Sequence, residues 1–184
     1  MSLGLIRLAA DVEEADQFHL ARLLILLRNV ATGATKSIQG ITKLAKLDFL
    51  LRYPAALIRV LDAQNRAKDA ATIPEEERNT IEGRMIRFRY GPWDPRYRRW
   101  IALLVSRGLA STYHAGNTVH VKLTESGEAL ADELAAKEEF TDLGTRAKLV
   151  NKAVGPFGAK RLMLFIYQVI PELEGQRWGE KIEL

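Results

Sequence analysis

Side chains that commonly carry out chemistry are scarce in this sequence, which contains three histidines and no cysteine. The lack of cysteine excludes thiolate nucleophiles, disulfides, cysteine zinc sites and iron–sulfur ligation. His114 and His120 are predicted to flank a hairpin on opposite strands, where a zinc ion would be under-ligated. No nucleophile has a base at a recognisable spacing. The sequence therefore predicts a protein that is not an enzyme and that holds no cofactor and no metal.

One segment ends like a nucleotide-binding P-loop. In the stretch 33–37, GATKS, Thr35 stands where the motif has the glycine before its lysine. The stretch also follows a predicted helix, whereas a P-loop follows a strand. We therefore predict no nucleotide site there.

Positive charge is concentrated in one part of the chain. The 184 residues carry 27 Lys and Arg against 23 Asp and Glu, a formal net charge of +4. Between Arg84 and Arg107, seven arginines stand against the single acid Asp94, so this stretch carries +6 and the remainder −2. Guanidinium groups neutralise phosphates with release of counterions, and they can read guanine edges.

The arginine-rich stretch therefore predicts contact with double-stranded DNA. The alternative is that these arginines stack on the aromatic residues beside them or pair with acids of a partner subunit. Asn117 and Lys122, on the predicted hairpin, extend the expected footprint. The predicted nucleic-acid-binding residues are Arg84, Arg87, Arg89, Arg96, Arg98, Arg99, Asn117 and Lys122.

Hydrophobic spacing predicts the elements that position this charge. A helix over 12–30 is apolar around almost its whole circumference, so it must be buried within the chain or against a partner. Two helices meet at Pro54, and a helix over 96–107 precedes a hairpin of strands 109–114 and 118–123. The other predicted elements are a loop at 32–40, helices at about 124–140, 143–154 and 159–170, and a tail from 171 to 184.

A strand over 85–90 is predicted to hold part of the arginine stretch. Ile86, Phe88 and Tyr90 alternate with Met85, Arg87 and Arg89, a pattern typical of a strand with one buried and one charged face. We expect Gly91 and Pro92 to end this strand. Asp94 is then expected to cap the helix that follows.

The order of the predicted elements resembles the winged helix-turn-helix over about residues 41–134. The sequences WIALLVSRGL at 100–109 and LTESG at 123–127 are typical of that fold. The resemblance implies a mainly α fold with a small β-hairpin: a winged helix-turn-helix core with extra N- and C-terminal helices. It makes 94–107 the recognition helix and 115–117 the wing tip. Winged helices also serve as protein-docking modules, so the fold alone does not assign the function.

Three further stretches carry a narrower likeness, LDFLLRYP at 47–54, FRYGPWDPRY at 88–97, and IYQVIPEL at 166–173 with WGEKI at 178–182. They resemble the middle component of bacterial ABC-three-component defence systems of the Lamassu type. The resemblance implies a cytoplasmic accessory subunit that acts against phage or plasmid DNA. Its implied partners are an SMC-like ABC ATPase and a nuclease-type effector, and neither activity belongs to this chain.

Apolar surface in the first and last helices predicts contact with partners, because a thin domain cannot bury so much of it. The predicted partner-binding residues are Leu23, Leu27, Phe165, Tyr167, Trp178 and Ile182. The alternative is that these helices pack on each other. We expect one domain, divided into an N-terminal helix and loop (1–40), a winged-helix core (41–140) and C-terminal helices with a docking tail (141–184).

Two other functions fit the same features. In a homodimeric transcriptional repressor, the N- and C-terminal helices would form the dimer. In an inert scaffold, protein would engage all the arginines. No membrane contact is expected, because arginines bracket the most hydrophobic stretch, 23–27, which is far shorter than a bilayer span.

Overall fold

The computed structural model describes residues 16–31, 33, 35–80 and 85–182. It is mainly helical, with one antiparallel sheet of three strands and one of two, which confirms the predicted mainly α class with a β-hairpin. The helices are α1 (Asp16–Val30), α2 (Ile41–Arg52), α3 (Pro54–Ala63), α4 (Ala67–Ala70), α5 (Tyr97–Ser106), α6 (Glu125–Ala135), α7 (Thr141–Val154), α8 (Ala159–Val169) and α9 (Glu172–Gly175). The strands are β1 (Ile38–Gln39), β2 (Ile86–Phe88), β3 (Gly91–Trp93), β4 (Ala110–Ala115) and β5 (Thr118–Leu123).

Helix α1 is the centre of the core. Every residue from His19 to Leu27 is buried, and the helix packs against α5, α6 and α7. A helix that is apolar all round needs neighbours on every side, and the chain itself supplies them. The burial predicted for this helix is confirmed, and its neighbours belong to its own chain. The hydrophobic core also takes residues from all three of the segments 1–40, 41–140 and 141–184.

The corner between α2 and α3 has its predicted cause. Tyr53 is non-helical because it precedes Pro54, which occupies the first position of α3. The Tyr53 hydroxyl accepts a hydrogen bond of 2.9 Å from the Met85 backbone N–H, and it donates to the Ile182 carbonyl at 3.3 Å. The corner thereby joins two distant parts of the chain.

The three-stranded sheet has the order β1-β5-β4, and β1 falls within the stretch predicted as a loop. Ile38 pairs with Val121 and Gln39 with His120. Strands β4 and β5 form the predicted hairpin, with Ala115 opposite Thr118 at the tip. Gly116 adopts φ +57° there, a left-handed conformation that glycine takes at little cost.

The second sheet corrects the single strand predicted over 85–90. The chain turns after Phe88 and returns as β3, so Gly91 and Pro92 lie within a strand and do not end one. The predicted faces are also reversed. Met85 and Arg87 are buried, whereas Phe88 and Tyr90 are 45% and 49% exposed.

The C-terminal tail explains this reversal. Arg87 donates its backbone N–H to the Glu180 carbonyl at 2.8 Å and accepts from Gly179 N–H at 2.7 Å. Ile182 donates to the Met85 carbonyl at 2.8 Å, and its side chain is fully buried. The tail thus docks along β2, and its Leu173 carbonyl accepts a hydrogen bond from the Arg87 side chain, which alternation alone had assigned to solvent.

Candidate functional site

Arg87 does not belong to an exposed cationic surface. Its side chain is buried, Nε donates to the Leu173 carbonyl at 2.6 Å, and the guanidinium also contacts the Phe88 carbonyl. The guanidinium carbon lies 5.1 Å from the centre of the Tyr167 ring. The prediction that Arg87 meets DNA is therefore wrong, because carbonyl groups and an aromatic face have replaced water around its charge.

Arg96 and Arg99 reach the surface, but each is paired with an acid of this chain. Arg96 binds both carboxylate oxygens of Asp94 at 3.0 Å and lies 4.8 Å from the centre of the Trp100 ring. Arg99 pairs with Asp16, which also accepts a hydrogen bond of 3.0 Å from the indole N–H of Trp100. Arg96 is thus engaged by an acid and an aromatic ring, and Arg99 by an acid. The alternative interpretation had expected such contacts, but with acids of a partner subunit, and here the acids belong to the same chain.

Other predicted DNA contacts lie exposed on α5 and on the β4–β5 hairpin. Arg98, Asn117 and Lys122 are exposed, and within the described ranges neither Arg98 nor Lys122 forms an ion pair. Arg98 shares an exposed stripe of α5 with Ala102 and Val105, which follow it at helical spacing. This stripe and the hairpin form a continuous stretch of chain that presents unpaired cations.

Two arginines of the predicted set remain. Arg89 lies in the turn of the β2–β3 hairpin, where its guanidinium carbon is 5.3 Å from the centre of the Tyr90 ring. Arg84 lies outside the described residues.

A network of buried charges holds α5 against the core. Arg22 of α1 donates to both oxygens of Asp48 at 2.8 and 3.1 Å, and the Tyr97 hydroxyl donates to Asp48 at 2.6 Å. Arg52 lies 3.6 Å from Asp48 and donates to Asp94 at 3.2 Å. Asp94 in turn accepts from the backbone N–H of Arg96 at 3.0 Å, next to the start of α5. The network therefore fixes the helix that carries Arg98.

Burial by itself would raise the pKa of the Asp48 carboxyl, but the charges of Arg22 and Arg52, with hydrogen bonds from Arg22 and Tyr97, hold it below its ordinary value. Burial, reinforced by the Asp48 charge, raises the pKa of Tyr97 well above its ordinary value. The carboxylate is thus the charged centre of the network and the phenol its neutral donor. Hydrophobic spacing could not predict this network, because an analysis of spacing assigns the charged residues of an amphipathic helix to its solvent-exposed face.

The six residues predicted to bind partners differ widely in exposure. Leu23, Leu27 and Ile182 are fully buried inside this chain, so the prediction that they contact partners is wrong. Phe165 and Tyr167 are half-buried against the core, and Phe165 makes an edge contact with Phe157. Trp178 is 66% exposed, and its ring centre lies 6.5 Å from that of Phe88. Trp178 thus remains available at the surface, together with Phe88.

A serine and a histidine lie close together next to the hairpin. Ser37 Oγ is 3.2 Å from Nδ1 of His120 and 3.1 Å from the Tyr113 hydroxyl. A catalytic histidine is oriented by a third group at its other nitrogen, but Nε2 of His120 is buried without a hydrogen-bond partner in the described part of the chain. This pair therefore lacks the geometry of a catalytic triad.

No cluster of three or more potential metal ligands occurs within the residues that the structure describes. None of the described helices combines the length and apolar character needed to cross a membrane. No family model, no curated protein and no solved structure matches this chain.

Proposed function

We propose that this protein is a non-catalytic winged-helix subunit that contacts duplex DNA through α5 and the β4–β5 hairpin. The observation that carries the proposal is that α5, β4 and β5 follow one another in the chain and present Arg98 and Lys122 without acidic partners among the described residues. Strand β1 pairs with β5 and completes the sheet. The assembly would be a Lamassu-type complex, whose middle component this sequence resembles. In such a complex, the chain would bridge an SMC-like ATPase and a nuclease effector.

The strand order supports a winged helix. In that fold a short strand after the first helix pairs with the last strand of the wing, and the recognition helix leads directly into the wing. Here β1 follows α1 and pairs with β5, while α5 leads into β4. The core would then run α1, β1, α2, α5, β4, β5, with residues 53–96 inserted between the two helices of the helix-turn-helix. This proposed core differs from the predicted 41–140 because it takes in α1 and β1. The contacts of Asp48 with Tyr97 and of Arg52 with Asp94 tie the two ends of this insertion together.

The charges on this surface support contact with phosphates. Arg98 and Lys122 have no acidic partner among the described residues, so their binding to phosphate breaks no ion pair. Arg96 and Arg99 would first have to leave Asp94 and Asp16. Contacts of this kind position a protein on any duplex without reading its bases.

We expect the double substitution Arg98→Ala/Lys122→Ala to weaken binding to duplexes of any sequence. If each residue contacts one phosphate, the slope of log affinity against log salt should fall by about 1.8, that is about 0.9 per lost contact. Fluorescence anisotropy with a labelled duplex, repeated over a range of salt concentrations, measures this slope.

The control is Lys68→Ala/Lys148→Ala, which removes the same charge from two exposed positions on α4 and α7. The salt slope of this variant should differ from that of the wild type by less than about 0.9, the value of one phosphate contact. An equal loss in both variants would mean that only net charge matters, and an unchanged slope in the first would contradict the proposed surface.

The homodimeric repressor fits the structure less well. Its dimer would need the first helix as an interface, and α1 is buried within its own chain. In the C-terminal part of the described chain, Leu164 on α8 is 55% exposed and Trp178 in the tail is 66% exposed. These positions are compatible with docking to another subunit through the C-terminal third of the chain.

A further inference from the structure

A cavity of about 190 Å³ lies between α2 and the β2–β3 hairpin. The hairpin supplies its aromatic wall, and α2 and α5 supply its polar groups. The residues that define the cavity are Thr42, Lys46, Phe88, Tyr90, Trp93 and Arg98. The rings of Phe88 and Trp93 meet at an interplanar angle of 30°, with centres 6.2 Å apart. The cavity is thus an aromatic slot with cations beside it.

Lys46 is the unusual group in this slot. It is only 3% exposed, and its ammonium donates to the Thr42 carbonyl at 3.1 Å. An ammonium carries three N–H donors, and no ion pair to Lys46 is formed within the described residues. Burial lowers the pKa of Lys46 to about 8. A buried cation without a counter-charge is costly, and an anion bound beside it would offset that cost.

A second cavity of about 260 Å³ strengthens the preference for an anion. It shares Thr42, Lys46 and Tyr90 with the first and adds Lys160 and Met163. The two linings together contain three cationic side chains and no carboxylate. Any acidic ligand therefore meets attraction from every charged group in the walls.

We propose that this slot binds a small carboxylic acid that carries one aromatic ring, with the ring against the hairpin aromatics and the carboxylate on Lys46. The first cavity is smaller than the roughly 300–1,000 Å³ of a site for drug-sized ligands, so a ligand with a single ring fits it. Of the three lining cations, Lys46 alone is buried while Arg98 and Lys160 are exposed, and its single charge matches a carboxylate better than a doubly charged phosphate. Ring contacts and a charge-assisted hydrogen bond supply the two parts of the recognition.

Isothermal titration calorimetry with phenylacetate and its neutral analogue phenylacetamide tests this assignment. The two probes share a ring and a shape and differ in charge. At pH 7 we expect phenylacetate to bind at least about tenfold more tightly, which is the value of one charge-assisted hydrogen bond. Equal affinity for the acid and the amide would overturn the proposal.

The substitution Lys46→Met keeps the length of the side chain and removes its charge. We expect it to abolish the preference for the acid while leaving the weak binding of the amide unchanged. Lys148→Met, at an exposed position outside both cavities, is the matched control and should bind both probes as the wild type does. If Lys46→Met binds phenylacetate with wild-type affinity, the assignment of the carboxylate to Lys46 is overturned.

The pH dependence of the unmodified protein provides a test that needs no variant. Lys46 loses its proton above about pH 8, so phenylacetate should bind about tenfold more weakly at pH 9 than at pH 7, with the amide unaffected. The other charged or phenolic groups near Lys46 are Arg98, Lys160, Tyr90 and Tyr167. A pH-independent preference for the acid would contradict the role of Lys46.

N-acetylphenylalanine distinguishes two sources of the same chemistry. Binding tighter than that of phenylacetate would favour the C-terminal residue of a protein chain as the source of the carboxylate, and equal or weaker binding would favour a free acid. Lys46→Met should also leave the salt slope of DNA binding unchanged. Arg98 lines the slot and also belongs to the proposed DNA surface, whereas Lys46 belongs to the slot alone, so Lys46→Met tests the slot without testing the DNA surface.

Discussion

Replacing Asp48 by asparagine should destabilise the protein by about 3–5 kcal/mol. The carboxylate of Asp48 is fully buried and lies between the guanidinium groups of Arg22 and Arg52, neither of which has any exposed surface. Asparagine fills the same space but carries no charge, so the buried Arg22 would lose its counter-charge and Arg52 would keep only Asp94. Chemical denaturation followed by circular dichroism measures the effect, and we expect a lower midpoint with little change in the slope of the transition.

Acid should reduce the contribution of Asp48. Because its pKa is lowered in the folded state, the network stabilises the protein fully above the ordinary carboxyl pKa of about 3.9, and this stabilisation is lost as pH falls below that value. The difference in stability between the wild type and Asp48→Asn should therefore narrow below about pH 4. A constant difference across this range would mean that charge is not the cause.

The matched control for Asp48 is Asp132, which pairs with Arg28 at 2.9 Å on the surface. Asp132→Asn removes the same charge from an exposed ion pair, so we expect a loss of no more than about 1 kcal/mol. If the two substitutions proved equally mild, the buried network would not hold α5 in place.

Replacing Gly127 by alanine should be the second severe change, with a loss of about 3 kcal/mol or more. A Cβ atom at this position would lie 1.9 Å from the Leu109 carbonyl oxygen and 2.8 Å from its carbon. That carbonyl also accepts the backbone N–H of Thr124 at 3.1 Å, which joins the start of β4 to the end of β5. The backbone therefore cannot move away without loosening the hairpin. Thermal unfolding and the DNA affinity should both show the loss.

At Gly144, in contrast, we expect an alanine substitution to stabilise the protein. Gly144 lies within α7, and a Cβ atom there would meet the Cβ of Ala135 on α6 at 3.7 Å, an ordinary van der Waals distance. Gly144→Ala should therefore stabilise the protein by about 0.4–1 kcal/mol, because alanine restricts the unfolded chain. Similar destabilisation by both alanines would show that the close approach of Gly127 to Leu109 is not decisive.

Periodic segments were predictable from the sequence because their signal is local. Helices α2, α3 and α5 and the β4–β5 hairpin follow from apolar spacing and from Pro54 and Gly116. Strand β1 has two residues, too few for an alternating pattern, and only its pairing with β5 makes it a strand. The faces of β2 were predicted in reverse because the tail that covers Arg87 arrives from nearly one hundred residues later in the chain.

The candidate sites were predictable only in part, because they too depend on contacts between residues that are far apart in the sequence. Charge counting found the arginine-rich stretch but could not separate the exposed Arg98 from the buried Arg87. Asp48 and Arg22 are 26 residues apart. Lys46 lies between the apolar positions Leu44 and Leu47 of α2, so its spacing does not distinguish it from a lysine at the surface. Pairing and burial of these groups depend on tertiary contacts, which hydrophobic periodicity does not contain.

Photocrosslinking tests the DNA-binding surface most directly. A benzophenone side chain would replace Val105 on the exposed stripe of α5, Asn117 at the tip of the hairpin, or Lys148 on α7 as the control. With a labelled duplex at low salt, we expect crosslinks to DNA from Val105 and Asn117 and none above background from Lys148. Crosslinks from Lys148 alone, or equal yields from all three positions, would contradict the assignment of α5 and the β4–β5 hairpin as the DNA-binding surface.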